Sequence, residues 1–128
     1  MPKREDKRYS ISDFISGVKG SNRVDCIFNL SEKIEGRAVD ISLSGLGYEI
    51  RDINDDRLKE LTKSTDMYID LVFDSESILV GVKNVWNTVT KEQSVNVCRG
   101  GLRFEIIADD VRLRLNEHIR AMRDAAED

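Results

Sequence analysis

From residue 24 onward, apolar and polar positions alternate in short runs. Val24 to Leu30, Ile34 to Ile41, Leu46 to Arg51, Met67 to Phe73, Ile78 to Trp86 and Leu102 to Ile107 are rich in β-branched and aromatic residues, and glycines or polar clusters lie between them. Runs of this length with these bounds predict strands. Joined by turns rather than long helices, such strands predict an antiparallel barrel or sandwich. Two segments carry a helical period instead. Asn54 to Lys63 is short, with acidic capping residues at its start and lysine at its end. From Asp110 to about Ala126, the residues Val111, Leu115, Ile119, Met122 and Ala126 make one stripe at helical spacing, with Asp109 or Asp110 as cap. Residues 1 to 10 have no apolar pattern and are expected to be mobile.

The chain of 128 residues has the length of one domain. Its formal net charge of −4 argues against a general nucleic-acid binder, which carries a basic excess. No apolar run approaches the roughly 18 residues of a membrane span, and the polar start MPKREDKRYS lacks the apolar stretch of a signal peptide. The expectation is a cytoplasmic protein with no membrane insertion. The single histidine, His118, and the two distant cysteines, Cys26 and Cys98, leave no metal-site spacing and no pair of imidazoles. His118 reads as a surface or partly packed helix residue, and the cysteines as buried, inert thiols. Asp55–Asp56 and Asp109–Asp110 lie at helix starts, where capping and the helix dipole account for them. Trp86 reads as a barrel residue, with base stacking as the alternative. No nucleophile–base constellation is visible, so neither an enzyme nor a cofactor is expected.

Two short patterns carry the functional signal. The first is RxxxR at Arg4-Glu5-Asp6-Lys7-Arg8. The second is DxSxxG at Asp40-Ile41-Ser42-Leu43-Ser44-Gly45, and 31 residues separate the two. A second RxxxR, Arg99 to Arg103, shows how little that pattern means alone, whereas DxSxxG in the right order and at this distance is far rarer. Together they resemble the PilZ domain, the bacterial receptor module for cyclic di-GMP. Ala38-Val39-Asp40-Ile41-Ser42 followed by Gly45-Leu46-Gly47 is similar to that family's strand–turn–strand. Val82, Val85 and Trp86 are similar to its V-x-W strand, and Gly101-Leu102-Arg103-Phe104 to its last strand. The resemblance covers about residues 4 to 107. Two departures touch the residue before RxxxR, here Lys3 where many members have arginine, and Thr62 to Asp66, which lacks a glycine common in the family.

What the resemblance implies is an antiparallel six-stranded β-barrel over residues 10–107, a flexible RxxxR arm over 1–9 and a C-terminal α-helix over 109–127. It implies a cyclic di-GMP receptor that changes conformation on binding and signals to an unidentified protein effector, with no nucleic acid as partner. Arg4 and Arg8 would fold over the ligand, and Asp40, Ser42 and Gly45 would form the fixed side. The chemistry of these residues suits that ligand. An arginine fork matches phosphate, and matches the N7 and O6 acceptors of guanine. A carboxylate accepts from guanine's N–H edge, a small hydroxyl bonds phosphate or base, and Gly45 and Gly47 are expected to permit positive φ and close backbone approach. The competing reading is a protein-interaction module of the same fold that binds no nucleotide. A single-stranded nucleic-acid binder is disfavoured by charge and by the few aromatics.

Overall fold

The computed structural model describes residues 9–10, 24–74 and 76–127. Its elements are β1 (Tyr9–Ser10), β2 (Asp25–Asn29), β3 (Lys33–Ile41), β4 (Gly45–Arg51), α1 (Asp55–Lys63), β5 (Asp66–Val72), β6 (Ser77–Glu92), β7 (Val95–Ile106) and α2 (Asp109–Glu127). Strands pair antiparallel in the order β3-β2-β5-β6-β7-β4, and β4 pairs back onto β3. The expected six-stranded antiparallel barrel with a C-terminal helix is therefore the fold observed. Closure removes the edges that an open sheet would expose. The two-residue β1 lies beside the end of β3, with Tyr9 opposite Ile41 and Ser10 opposite Asp40.

Antiparallel pairing all round makes β3, β5 and β7 run in one direction. The β3–β4 turn, the β5–β6 turn and the start of α2 consequently share one end of the barrel. The α1 segment and the β6–β7 tip occupy the other. This places the DxSxxG turn at the end where α2 begins.

Alternation builds the core. In β2, Cys26 and Phe28 are buried between half-buried neighbours; in β5, Met67, Ile69 and Leu71 are buried between exposed or half-buried ones. Phe28 and Tyr48 meet edge to face with ring centroids 5.1 Å apart. Leu115, Ile119 and Met122 of α2 belong to the same apolar cluster as the strands. The sequence stripe is thus core, with Val111 partly buried against it; Ala126 lies outside the described side chains.

Capping at α1 differs from the acidic cap expected. Asn54 provides it: its Oδ1 accepts from the Arg57 N–H at 2.9 Å. Asp55 and Asp56 sit in the first turn, where negative charge suits the helix dipole. Fully buried Leu61 anchors the helix to the core, which stabilises it by about 1.5–3 kcal/mol.

The last two strands extend well past their expected limits. β6 continues from Trp86 to Glu92, and β7 starts at Val95 rather than Leu102. The added hairpin is an alternation of threonines and valines that pairs Thr88 with Arg99 and Val89 with Cys98. Its turn holds Gln93 and Ser94 at φ 53° and 71°, left-handed conformations without the glycine or asparagine that normally announces them.

Glu76, on the β5–β6 turn, fastens α2. Its carboxylate accepts from Arg114 Nε at 2.9 Å, and its Oε2 lies 2.8 Å from His118 Nε2. The His118 ring stacks on Phe73 at 4.0 Å, as suits a partly packed histidine. The Arg114 hydrogen bond, then that of His118, hold the Glu76 carboxyl below its ordinary value of 4.5. A lowered folded value means stability that is present above the unfolded value and lost as pH falls through the folded one. Acidification below about 4.5 is therefore expected to loosen the α2 contact. Chemical shifts of Phe73 and His118 followed against pH read this directly. Glu76→Gln is expected to abolish that step, and a step of unchanged size in Glu76→Gln would contradict the assignment.

Candidate functional site

The turn between β3 and β4 is made by its own polar atoms. Ser42 N–H donates to Gly45 O at 2.9 Å, Ser42 Oγ accepts from Ser44 N–H at 3.2 Å, and the hydroxyl reaches Gly45 O at 3.3 Å. Ser42 is completely buried. Its hydroxyl closes the turn.

Of the two reasons expected for Gly45, positive φ and close backbone approach, the second is the one found. Neither Gly45 nor Gly47 has a left-handed φ. Instead a Cβ at Gly45 would run into the Leu102 carbonyl oxygen of β7, so the need is for close backbone approach. The turn is also tied to β7 by the Phe104 N–H, which donates to Ser44 O at 2.8 Å.

Asp40 is turned outward by an irregularity in β3. The β3–β4 register shifts between Ala38 and Asp40, so that Ala38 and Ile41, three residues apart, both face the core. Asp40 then lies opposite Gly47, whose N–H donates to Asp40 Oδ1 at 2.9 Å. A Cβ at Gly47 would stand 3.1 Å from both carboxylate oxygens. The carboxylate therefore rests beside bare backbone.

The same row continues around the barrel. Gly47 pairs with Gly101 of β7, and Gly101 with Trp86 of β6. A Cβ at Gly101 would collide with the Trp86 indole, with Cδ1 at 3.0 Å. The indole thus lies over Gly101 while remaining 53% exposed. With strands about 4.8 Å apart, the Asp40 and Trp86 backbones are roughly 14 Å apart. Between them is a glycine floor whose two residues are buried, Gly47 against the Asp40 carboxylate and Gly101 against the Trp86 indole. A planar group with N–H donors along one edge suits these two side chains: its face meets the half-exposed indole, and its donors meet Asp40.

Trp86 is thus the residue whose place the strand pattern misjudges. Val80, Val82 and Asn84 face inward, and strict alternation would carry Trp86 inward too. A register shift between Asn84 and Trp86 reverses the face, leaving Val85 and Trp86 both exposed. The V-x-W resemblance was the available signal for it.

The remaining candidates are structural. Cys26 and Cys98 are buried, free thiols whose pKa values burial pushes up, which makes them poor nucleophiles. Tyr48 donates to Asn84 Oδ1 at 3.3 Å inside the barrel. Among the described residues no group of three or more His, Cys, Asp or Glu can hold a metal ion, and no helix is long and apolar enough to cross a membrane. Arg4 and Arg8 lie outside the described residues, as does the mobility expected of the N-terminus before Tyr9. The arm, expected to extend through residue 9, is followed at Tyr9 by a strand paired with the motif strand.

No family model and no curated protein matches the sequence. Solved structures do match the fold. The PilZ domain of YcgR from Escherichia coli, solved with c-di-GMP, superposes with a TM-score of 0.71 at 18% identity, covering 98% of this chain and 96% of that one. Apo MrkH from K. pneumonia gives 0.66 at 16% identity, over 82% of this chain and 48% of that one. The PlzA protein of Borreliella burgdorferi, in complex with c-di-GMP, gives 0.56 at 13% identity, over 93% and 51%. This chain therefore spans about half the length of MrkH and PlzA, and nearly all of the YcgR domain. At these identities the likeness is one of fold.

Proposed function

We propose that this chain, which has the fold of the PilZ domain, is a receptor for cyclic di-GMP. The observation that carries the reading is the outer row Asp40–Gly47–Gly101–Trp86, which ends at the DxSxxG turn. Its boundaries match guanine, whose N–H edge needs an acceptor and whose face needs a stacking surface. β1 supports it further: Ser10 lies opposite Asp40, and Arg8 precedes Tyr9 in sequence, so the RxxxR segment joins the fold beside the motif strand. Two of the structural neighbours were solved with c-di-GMP.

In this reading Asp40 accepts from the guanine N–H groups, held in place by the Gly47 N–H. Trp86 covers the base, and Ser42 and Gly45 fix the turn. Arg4 and Arg8 grip phosphate and the O6/N7 edge as charge-assisted forks. No bond is made or broken; the output is the closing of the arm and a changed surface for a protein effector, in the cytoplasm. Such coupling requires only that ligand bind the closed arrangement better than the open one.

Titration calorimetry with cyclic di-GMP, and with GTP and an oligonucleotide as controls, tests this. Saturable binding of cyclic di-GMP alone is expected. Because Trp86 is the only tryptophan, its fluorescence is expected to change in the same titration. Arg4→Ala, Arg8→Ala and Asp40→Ala are each expected to weaken binding by about one to two decades. Wild-type affinity in Arg8→Ala, or no binding by the wild type, would refute the assignment.

A further inference from the structure

The outward-facing arginines of the strands are not equally committed. Arg99 engages two carboxylates, Glu49 at 2.9 Å and Glu92 at 3.0 Å. Arg51 lies between the same two, at 3.6 Å and 3.1 Å. Arg103 differs: it uses Nε alone, on Glu105 Oε2 at 2.7 Å, and among the described residues its terminal nitrogens have no partner. Glu105 is two residues along the same strand and 39% exposed, and Arg103 is 56% exposed. An ion pair this exposed adds little to stability.

The position of Arg103 is more telling than its pairing. Its backbone is clamped to the DxSxxG turn: it lies opposite Gly45, and the next N–H, that of Phe104, is bonded to Ser44 O. It follows Gly101 by two residues on one face of β7, which puts their Cα atoms about 7 Å apart. On its other side it is paired with Lys83 of β6, an exposed ammonium. The row beside the glycine floor therefore presents two cations, and one of them has a two-nitrogen fork with nothing to hold.

We propose that Arg103, assisted by Lys83, is the phosphate-holding edge of this binding surface on the barrel itself, and that Glu105 occupies the guanidinium until a phosphodiester displaces it. This rests on the cyclic di-GMP reading and adds to it a fixed cationic subsite on β6 and β7, separate from the N-terminal arm. The geometry suits such an exchange: the exposed Glu105 holds Nε alone, so a phosphodiester can engage the two terminal nitrogens in parallel and then release Glu105 from the shared guanidinium charge. A lysine at position 103 presents no fork, so it is a poor substitute.

Calorimetric titration of the full chain with cyclic di-GMP at two salt concentrations is the test. Arg103→Ala and Arg103→Gln are expected to bind at least tenfold more weakly, with shallower salt dependence, while melting as the wild type does. Arg103→Lys is expected to recover only part of the loss, and Lys83→Ala to lose a few-fold. Glu105→Gln, by removing the competitor, is expected to bind a few-fold more tightly, a gain that a merely structural role for the pair does not produce. If the wild type binds and both Arg103→Ala and Arg103→Gln bind equally well, this subsite is wrong and the receptor reading stands. If the wild type does not bind cyclic di-GMP, the receptor reading falls and takes the subsite with it.

Discussion

A chain ending at Ala108 is expected not to fold. The residues removed include Leu115, Ile119 and Met122, which are 0%, 5% and 5% exposed and part of one cluster with the strands. Burying three such side chains stabilises a fold by about 5–9 kcal/mol together, against a whole-domain stability of about 5–15 kcal/mol. The truncation also strips Glu76 of both Arg114 and His118 and opens the barrel end that carries the DxSxxG turn. Circular dichroism is expected to show no cooperative melt, and amide spectra to lose their dispersion. A truncated barrel melting within a few degrees of the full chain would show α2 to be an accessory. The apolar stripe of α2 is already used in the core, and Arg112, Glu117 and Arg120 are exposed.

Gly45→Ala is expected to damage fold and binding together. The new methyl would point into the Leu102 carbonyl, and its other near neighbours are Leu102 C at 3.1 Å and Arg103 Cα at 3.2 Å. All three are backbone atoms, so β4 and β7 must move apart; no side chain can swing away. Overpacking of this kind costs on the order of 3 kcal/mol, or a fall in Tm of roughly 10 °C. The displaced atoms lie between Ser44 and Phe104, so the same shift moves the turn away from the glycine floor. Cyclic di-GMP binding is expected to be lost even at temperatures where the variant is folded. Gly47→Ala offers the contrast. The three atoms nearest its methyl all belong to the Asp40 carboxyl group, at 3.1–3.3 Å, a side chain that can give way, so it is expected to weaken binding with little change in Tm. A Gly45→Ala variant with wild-type Tm and affinity would show that the close approach is unnecessary.

The regular strands were readable because each buries one face. Cys26 and Phe28 in β2, and Met67, Ile69 and Leu71 in β5, alternate with more exposed residues as a half-buried strand must. The stripe of α2 was readable for the same reason at a helical period. The β6–β7 tip was not, because hairpin registry normally shows itself through a glycine or asparagine turn. Here Gln93 and Ser94 hold the left-handed conformation under the constraint of two long paired strands.

Local pattern determined that this chain makes short antiparallel strands and an amphipathic C-terminal helix, and the two motifs pointed to the barrel. Those features depend on neighbours a few residues apart, where side-chain period and burial are directly coupled. Which residues share the outer row was decided only in three dimensions. Asp40 faces out because β3 shifts register after Ala38, and Trp86 because β6 shifts after Asn84. Each irregularity inserts one residue and exchanges inside for outside, so a period-two reading that carries across it assigns the wrong face. Gly47 and Gly101 became a floor through pairing between strands far apart in sequence, where the absence of a side chain matters only against the neighbour that closure of the barrel supplies.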